Sequence, residues 1–168
     1  MQPIRADTTA IEMLYGQHSP ALLLFALALT GERSRAQDAV HQVFLKLLQR
    51  GGLGRVHDAK AYLFACVRNA ILNDARSRER DVPLDREAAW FAPPNRDYAA
   101  ELNLRRALNA LSDDQRQVTV LHIWGELTFS QIAEVLGISP NTAASRYRYA
   151  LARLRDEMCV REEPYANP

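Results

Sequence analysis

The stretch from 111 to 155 constrains the fold of this chain more than any other. Thr128 and Gln131 have the spacing of a capping box, in which two side chains satisfy the free N–H groups at a helix start. Gly137 can end that short helix, because glycine tolerates the left-handed conformation of a C-cap. Ser139 and Pro140 can then open a longer helix. Together these signals predict a helix-turn-helix.

The second helix of this unit has the composition of a DNA-recognition helix. Residues 141–155 contain four arginines and no acidic residue. Such helices place short polar and basic side chains near their N-terminus, where these reach base edges in the major groove. Arg153 and Arg155 have a simpler explanation, because positive side chains near the C-terminus of a helix interact favourably with the helix dipole. We predict that the face opposite the apolar stripe contacts bases or phosphates through Asn141, Thr142, Ser145, Arg146, Arg148 and Tyr149.

Apolar residues recur at helical spacing through the rest of the chain, and no segment has the alternation of a strand. We expect a first helix from a Thr9–Glu12 capping box that restarts or kinks at Ser19 and Pro20. Gly31 should end it, and a Ser34–Gln37 capping box should open the next helix, which ends near Arg50. Two further helix starts are predicted at Asp58 and at a capping box of Ser112 and Gln115.

Composition changes between 81 and 100, where three prolines and four acidic residues interrupt the helical period. We interpret this segment as a flexible linker, with Trp90 and Phe91 as candidates for docking on a neighbouring surface. The predicted fold is therefore all-α, with two small helical domains. Their expected limits are 8–80 and 101–158, and 159–168 is a tail.

Charge is distributed unevenly although the net charge is only +1. Residues 51–80 hold six basic side chains against three acidic ones, and the tail 156–168 holds one against four. Two basic zones separated by an acidic segment suggest two nucleic-acid contact surfaces, although solvated helix faces would give the same pattern. The distant Cys66 and Cys159 predict neither a metal site nor a disulfide framework. Without a signal peptide or a membrane-length apolar run, we expect a cytoplasmic protein with no cofactor.

Both halves of the chain resemble one known family of proteins. The run LTGERSRAQDAVHQVFLKLLQR (29–50) resembles the form AEDLVQEVFLRLW, and AYLFACVRNAILNDARSRER (61–80) resembles WLYRIARNLALDLLRRRRR. Residues 111–139 resemble LPPRQREVFLLRYVEGLSYEEIAEILGIS, and PNTAASRYRYALARLR resembles PGTVKSRLHRARRRLR. These forms are typical of bacterial RNA polymerase sigma factors of the extracytoplasmic-function type, which keep sigma regions 2 and 4 joined by a linker. The chain departs from them at Gln37 and Gln42, where glutamates are usual, at Tyr62 for tryptophan and at Ala144 for lysine.

The resemblance implies that the first lobe captures a melted strand of the −10 promoter element. The loop 51–57 would supply the base pocket, with Leu53 near the flipped base and Asn69 lining it. An alternative explanation of the glycines in this loop is a plain helix connection. Base capture also needs positive charge and polar side chains. The further residues implied for this surface are Arg55, Arg68, Asn73, Arg76, Arg78 and Arg80.

The resemblance also implies partners. Core RNA polymerase would bind through the clamp helices of its largest subunit and through its flap region. Promoter DNA would be the nucleic acid that the chain binds, and an anti-sigma factor is a candidate regulator. No membrane insertion and no small-molecule substrate are expected. Leu45 lies off the core stripe of its helix, which favours an interface there. The side chains expected to contact the polymerase are Asp38, His41, Gln42, Leu45, Lys46 and Gln49.

Three other interpretations remain open at this point. An enzyme is disfavoured, because His41, His57 and Cys66 lie in no nucleophile motif and show no metal-ligand spacing. A conventional helix-turn-helix regulator would use only the C-terminal unit, but its N-terminal partner would be an α/β domain. An inactive sigma-like chain that serves as a binding partner is compatible with Gln37 and Gln42. We therefore predict a non-catalytic sigma factor.

Overall fold

A computed structural model describes the backbone of residues 4–78 and 98–159, and the side chains of 8–78 and 103–157. Within these ranges the chain is all-helical, with no strand, which confirms the predicted fold class. The first group of helices is α1 (Ile4–Thr30), α2 (Arg33–Arg50) and α3 (Ala59–Arg78). The second group is α4 (Tyr98–Asn109), α5 (Asp113–Ile123), α6 (Phe129–Leu136) and α7 (Pro140–Cys159). Most of the predicted linker, Trp90 and Phe91, and the residues after 159 lie outside the described part.

Helix α1 is continuous, so the predicted capping box at its start is wrong, and the helix does not restart at Ser19 and Pro20. Thr9 lies inside the helix and does not cap it, and Pro20 lies inside it as well. A proline removes one backbone hydrogen bond from a helix interior and crowds the preceding turn. Here the residues that follow are packed tightly, since Leu22 and Phe25 are completely buried against the other helices. That packing holds the helix together across the proline.

The start of α2 also differs from the prediction of a Ser34–Gln37 capping box. Glu32 is the N-cap residue, and no side chain caps the helix. The preceding turn is closed by Thr30, whose hydroxyl donates to the Ala26 carbonyl at 2.8 Å and accepts from the Glu32 N–H at 3.3 Å. A hydroxyl one turn earlier thus fixes this connection.

The remaining predicted helix boundaries are confirmed. Asp58 accepts the Ala61 N–H at 3.0 Å at the start of α3, and Ser112 and Gln115 form both arms of a capping box before α5. Gly31 and Gly51, which follow α1 and α2, have φ of 69° and 77°, where glycine avoids the strain that other residues would incur. Local hydrogen bonding was therefore sufficient to place most of the helix ends.

The two helix groups pack directly on each other. Helix α1 contacts α5, and α3 contacts α6, so buried residues of both groups form one continuous core. Phe64 of α3 is completely buried, and a Cβ built on Gly125 would lie 3.1 Å from its ring. The turn after α5 therefore lies against the first group.

Candidate nucleic-acid and polymerase interfaces

The helix-turn-helix is held by an aromatic cluster that the sequence analysis missed. His122 of α5 stacks on Phe129 of α6 with ring centroids 4.6 Å apart, and Tyr147 of α7 meets the same imidazole edge-on at 4.6 Å. The imidazole Nδ1 lies 2.8 Å from the Leu127 carbonyl. One histidine of α5 therefore contacts α6, α7 and the turn before α6. The sequence could not predict this cluster, because His122, Phe129 and Tyr147 lie on three different helices.

Helix α7 is confirmed as a helix with an inner and an outer face. Ala143 and Ala150 are completely buried, and Asn141 and Arg148 are exposed on the outer side. The Thr142 N–H donates to the Ser139 hydroxyl at 3.0 Å, and the two hydroxyls lie 2.8 Å apart. The cap thus engages Thr142. Ser145 is partly exposed on the outer side.

The end of this outer face carries a cation beside an aromatic ring. The Arg148 guanidinium lies 5.6 Å from the ring centroid of Tyr149, which is 61% exposed. A guanidinium next to a ring is attracted by the ring's quadrupole and remains able to donate hydrogen bonds. Arg148 and Tyr149 therefore present donors and an aromatic surface together.

Arg146 is engaged within the domain. Its guanidinium forms an ion pair with Asp114 at the start of α5, with 2.9 Å between Nη2 and Oδ2. This contact ties α7 to α5. Among the residues predicted to contact DNA on α7, it is the one that the structure places in an ion pair.

The predicted strand-capture loop follows α2. Gly51, Gly52 and Gly54 all have positive φ, at 77°, 117° and 63°, so the backbone adopts a conformation that favours glycine at three positions. Leu53 is partly buried and packs against the core, while Arg55 is exposed. The structure therefore places the partly buried Leu53 between glycines in the left-handed conformation, next to the exposed Arg55.

The outer face of α3 carries polar side chains along one stripe. Asn69, Asn73 and Arg76 are exposed at helical spacing, and Arg68 is partly buried at their side. Arg78 pairs with Asp74 at 3.2 Å, and Asp74 also pairs with Arg35 at 3.3 Å. Arg80 lies outside the described residues.

Tyr62 lies on the same stripe, seven residues before Asn69, and the sequence analysis gave it no role. The interaction with the Cys66 thiol is the main cause that raises the pKa of Tyr62 above its usual value, and Arg50 at the end of α2 opposes that shift. The phenol therefore stays protonated at neutral pH. Positions 62, 66, 69, 73 and 76 are alternately four and three residues apart, and this helical spacing could have placed Tyr62 on the stripe.

The outer face of α2 is exposed as predicted from its core stripe. The exposed side chains on it are Asp38, His41, Gln42, Leu45, Lys46 and Gln49, and Leu45 is 57% exposed. Leu48, which is 43% exposed, extends this face and was missed. The available signal was that Leu48 lies beside the core stripe that ends at Leu47, next to Leu45 on the outer face.

Two grooves flank Leu45. A mainly apolar groove of about 540 Å³ between α1 and α2 is lined by Ile11, Tyr15 and Leu48. A second, of about 370 Å³, lies between α2 and α3 and is lined by Arg35, Gln42 and Asp74. The buried Nε of Arg35 has no hydrogen-bond partner among the residues that the structure describes. The first groove exposes apolar side chains, which is typical of a surface that contacts a partner.

The described ranges contain no group of three or more His, Cys, Asp or Glu side chains that could hold a metal ion. None of the helices there is both long and apolar enough to cross a membrane.

Comparison with known families matches both helix groups. Residues 14–81 match sigma-70 region 2, and residues 101–154 match sigma-70 region 4. A conventional regulator would need an unrelated N-terminal domain, whereas here that half of the chain matches region 2.

Comparison with individual proteins gives the same answer. The chain is 31% identical over 160 residues to the ECF RNA polymerase sigma factor SigL of Mycobacterium tuberculosis, covering 89% of each chain. It is 28% identical to the ECF RNA polymerase sigma factor EcfG of Rhodopseudomonas palustris, covering 80% of this chain and 77% of that one.

Solved structures show the same arrangement of helices. The sigma factor RpoE of Bartonella quintana, in complex with the anti-sigma factor NepR, superimposes with a TM-score of 0.73 at 25% identity. That superposition covers 90% of this chain and 98% of RpoE. The chain belongs to the extracytoplasmic-function sigma factors of the sigma-70 family, which are non-catalytic subunits that direct RNA polymerase to promoters.

Proposed function

We propose that this sigma factor recognises the −35 element through the outer face of α7 and captures the melted −10 strand with the 51–57 loop and α3. Two exposed surfaces with polar and basic side chains, one on each helix group, support this proposal. Each face lies opposite the buried stripe of its own helix, so neither is needed for the core.

At the −35 element, we assign the contacts with base edges to Asn141, Ser145 and Arg148, which are exposed or partly exposed on the outer face of α7. The N-terminus of α7 carries the positive end of the helix dipole, which favours a phosphate beside Asn141. Tyr149 supports the guanidinium of Arg148 from the side. Arg146 acts through Asp114, holding α7 at the angle that the major groove requires.

At the −10 element, the stripe on α3 supplies hydrogen-bonding groups and the loop supplies the pocket. Leu53 is the apolar floor against which an unstacked base can pack, with Asn69 beside it. Tyr62 offers a ring on which a neighbouring base can stack, because aromatic faces bind unstacked bases of any sequence. Arg55, Asn73 and Arg76 then contact the backbone.

Core polymerase would dock on the outer face of α2. The clamp helices of the largest subunit would cover Leu45 and Leu48. The flap region would contact the second helix group. The exposed leucines support this docking, since their burial by a partner is favourable.

An anti-sigma factor is the second partner that we propose. The support is the likeness to RpoE, whose structure was solved with NepR bound, over nearly the whole of both chains. Such a partner would compete with the polymerase for the same surfaces.

The test is reconstituted transcription with purified core polymerase on a genomic fragment library. We expect specific start sites that core polymerase alone does not produce. Binding to core polymerase with no transcript would contradict promoter recognition and would support an inactive, sigma-like binding partner.

A further inference from the structure

Three aromatic rings meet where α5, α6 and α7 come together, and we call them the ring triad. His122 stacks on Phe129 with ring centroids 4.6 Å apart and 17° between the ring planes. Tyr147 meets the His122 ring at 4.6 Å and 69°, and its ring lies 5.7 Å from that of Phe129. All three residues are half-buried, so the ring triad lies at the edge of the core and does not fill its centre. It connects three helices through one set of contacts.

A hydrogen bond fixes the orientation of the His122 ring. Its Nδ1 lies 2.8 Å from the carbonyl of Leu127, in the turn between α5 and α6. A carbonyl oxygen can only accept, so Nδ1 carries the proton and donates it. With this nitrogen held at the turn and the ring stacked on Phe129, the imidazole can meet Tyr147 in only one orientation. The stabilisation from two rings that meet edge to face depends on this geometry.

Tyr147 is one of two neighbouring residues that attach α7 to α5. Arg146 pairs with Asp114 at 2.9 Å, near the start of α5. His122 lies eight residues after Asp114, or about 12 Å further along the same helix. Helix α7 is therefore held at two well separated points of α5. Two separated supports resist a change in the angle between the helices, whereas the ion pair alone would let α7 pivot around it.

The angle of α7 matters most at its N-terminal end, where Asn141 lies. Tyr147 is six residues from Asn141, or about 9 Å along the helix, so a tilt of about 10° around Tyr147 moves Asn141 by about 1.6 Å. Donor and acceptor of a hydrogen bond lie between about 2.7 and 3.2 Å apart, so this shift breaks a contact with a base edge. Attraction to phosphates changes little, because screened charges still interact over about 8 Å. A tilt therefore removes base discrimination before it removes affinity for the DNA backbone.

We infer that His122 is a positioning residue for promoter recognition. Through the ring triad it sets the tilt of α7, and that tilt determines how well the bases of the −35 element are distinguished. His122 acts without touching DNA. This inference rests on the proposed function of α7, and it adds a residue of α5 on which base discrimination depends.

Three substitutions at this one position separate the ring from the hydrogen bond. His122→Phe keeps a ring against Phe129 and Tyr147 and loses the donor to the Leu127 carbonyl. His122→Asn keeps an N–H donor close to the position of Nδ1 and loses the ring. His122→Ala loses both. If His122→Ala does not fold, the comparison of His122→Asn with His122→Phe carries the test.

Val120→Ala is the matched control for a loss of buried volume in α5. Val120 is completely buried, and two residues correspond to about 200° around a helix, so Val120 faces the side opposite His122. The control therefore destabilises the same helix and leaves the ring triad unchanged. Urea unfolding of each full-length variant compares the losses of stability.

Residual dipolar couplings of the backbone amides in the full-length chain measure the tilt of α7 directly. We expect α7 to turn relative to α5 by about 10° or more in His122→Ala and His122→Asn, a change within the range over which helix-packing angles vary. In His122→Phe and Val120→Ala the angle should equal that of the wild type. An unchanged angle in His122→Asn, or an equal change in Val120→Ala, would overturn the inference.

Promoter binding by the reconstituted polymerase gives the functional outcome. The probes are a fragment on which the chain initiates and the same fragment with its −35 element scrambled, both at one salt concentration. The ratio of the two affinities should fall about ten-fold in His122→Asn, as for the loss of one base contact, while affinity for the scrambled fragment stays within about two-fold of the wild type. His122→Phe and Val120→Ala should keep the wild-type ratio.

An unchanged ratio in His122→Asn would contradict the inference, and so would an equal fall in Val120→Ala. A wild-type polymerase that does not distinguish the two fragments would instead count against the proposed function of α7. The dipolar couplings would then decide whether His122 sets the tilt of that helix.

Discussion

Leu45 and Leu48 provide the sharpest test of polymerase docking. They are 57% and 43% exposed, which together amount to about one fully exposed leucine side chain. Complete burial of a leucine contributes about 1.5–3 kcal/mol. The double change Leu45→Ala, Leu48→Ala should therefore weaken binding to core polymerase by about 2 kcal/mol, or roughly thirty-fold.

The fold should tolerate this change, since exposed substitutions usually alter stability by no more than about 0.5 kcal/mol. Met13→Ala is the matched control, because Met13 is 59% exposed on the neighbouring α1 and lines neither groove. Fluorescence anisotropy with labelled chain and purified core polymerase gives the affinities, and urea unfolding checks stability. A double variant that folds normally and binds within two-fold of the wild type would refute the docking surface. Equal weakening by Met13→Ala would refute its location.

The other predictions concern DNA contacts and pH. Arg148→Ala should weaken binding to a −35 duplex by about 1–3 kcal/mol in a gel-shift titration, while Arg153→Ala, at the far end of α7, should not; equal losses would remove the assignment. Asn69→Ala should reduce permanganate-reactive thymines at the start site while duplex binding persists, and unchanged strand opening would exclude Asn69 from the pocket. The hydrogen bond from the Ala61 N–H is the main cause that lowers the pKa of Asp58. The ionised Asp58 carboxylate therefore stabilises the fold above about pH 4, and this stabilisation is lost as the pH falls through the lowered pKa. Asp58→Asn should therefore show a smaller fall in urea midpoint than the wild type between about pH 5 and pH 3, and an identical fall would contradict this role.

Local chemistry explains why most of the fold was predictable. A capping box such as Thr128 with Gln131 involves residues three apart, so its hydrogen bonds form within one helical turn and the sequence alone contains the pattern. The same holds for Gly51 and Gly137, which end helices in the left-handed conformation. The errors arose where tertiary packing decided the outcome. Pro20 lies inside α1 because buried neighbours hold that helix, and no local pattern reveals such packing.

The same distinction between local patterns and tertiary packing applies to the candidate sites. Outward faces could be predicted from the core stripes of α2, α3 and α7, because a buried stripe determines which residues lie opposite it. Contacts between distant segments could not. The Arg146–Asp114 ion pair joins α7 to α5, and the Asp58–Gln131 contact joins residues 73 positions apart. Neither has a sequence signature, and together they determine how the recognition helix is oriented and how the lobes are held.

A footprint of the reconstituted polymerase on an initiating fragment tests the central claim most directly. The claim is that one chain contacts two promoter elements, with strand opening at only one of them. Cleavage protection should therefore appear in two regions about 25 base pairs apart, with permanganate-reactive thymines confined to the downstream region. Arg148→Ala should remove the upstream protection first. A single protected region, or reactive thymines at the upstream one, would contradict the assignment of α7 to the −35 element and of the 51–57 loop and α3 to the −10 element.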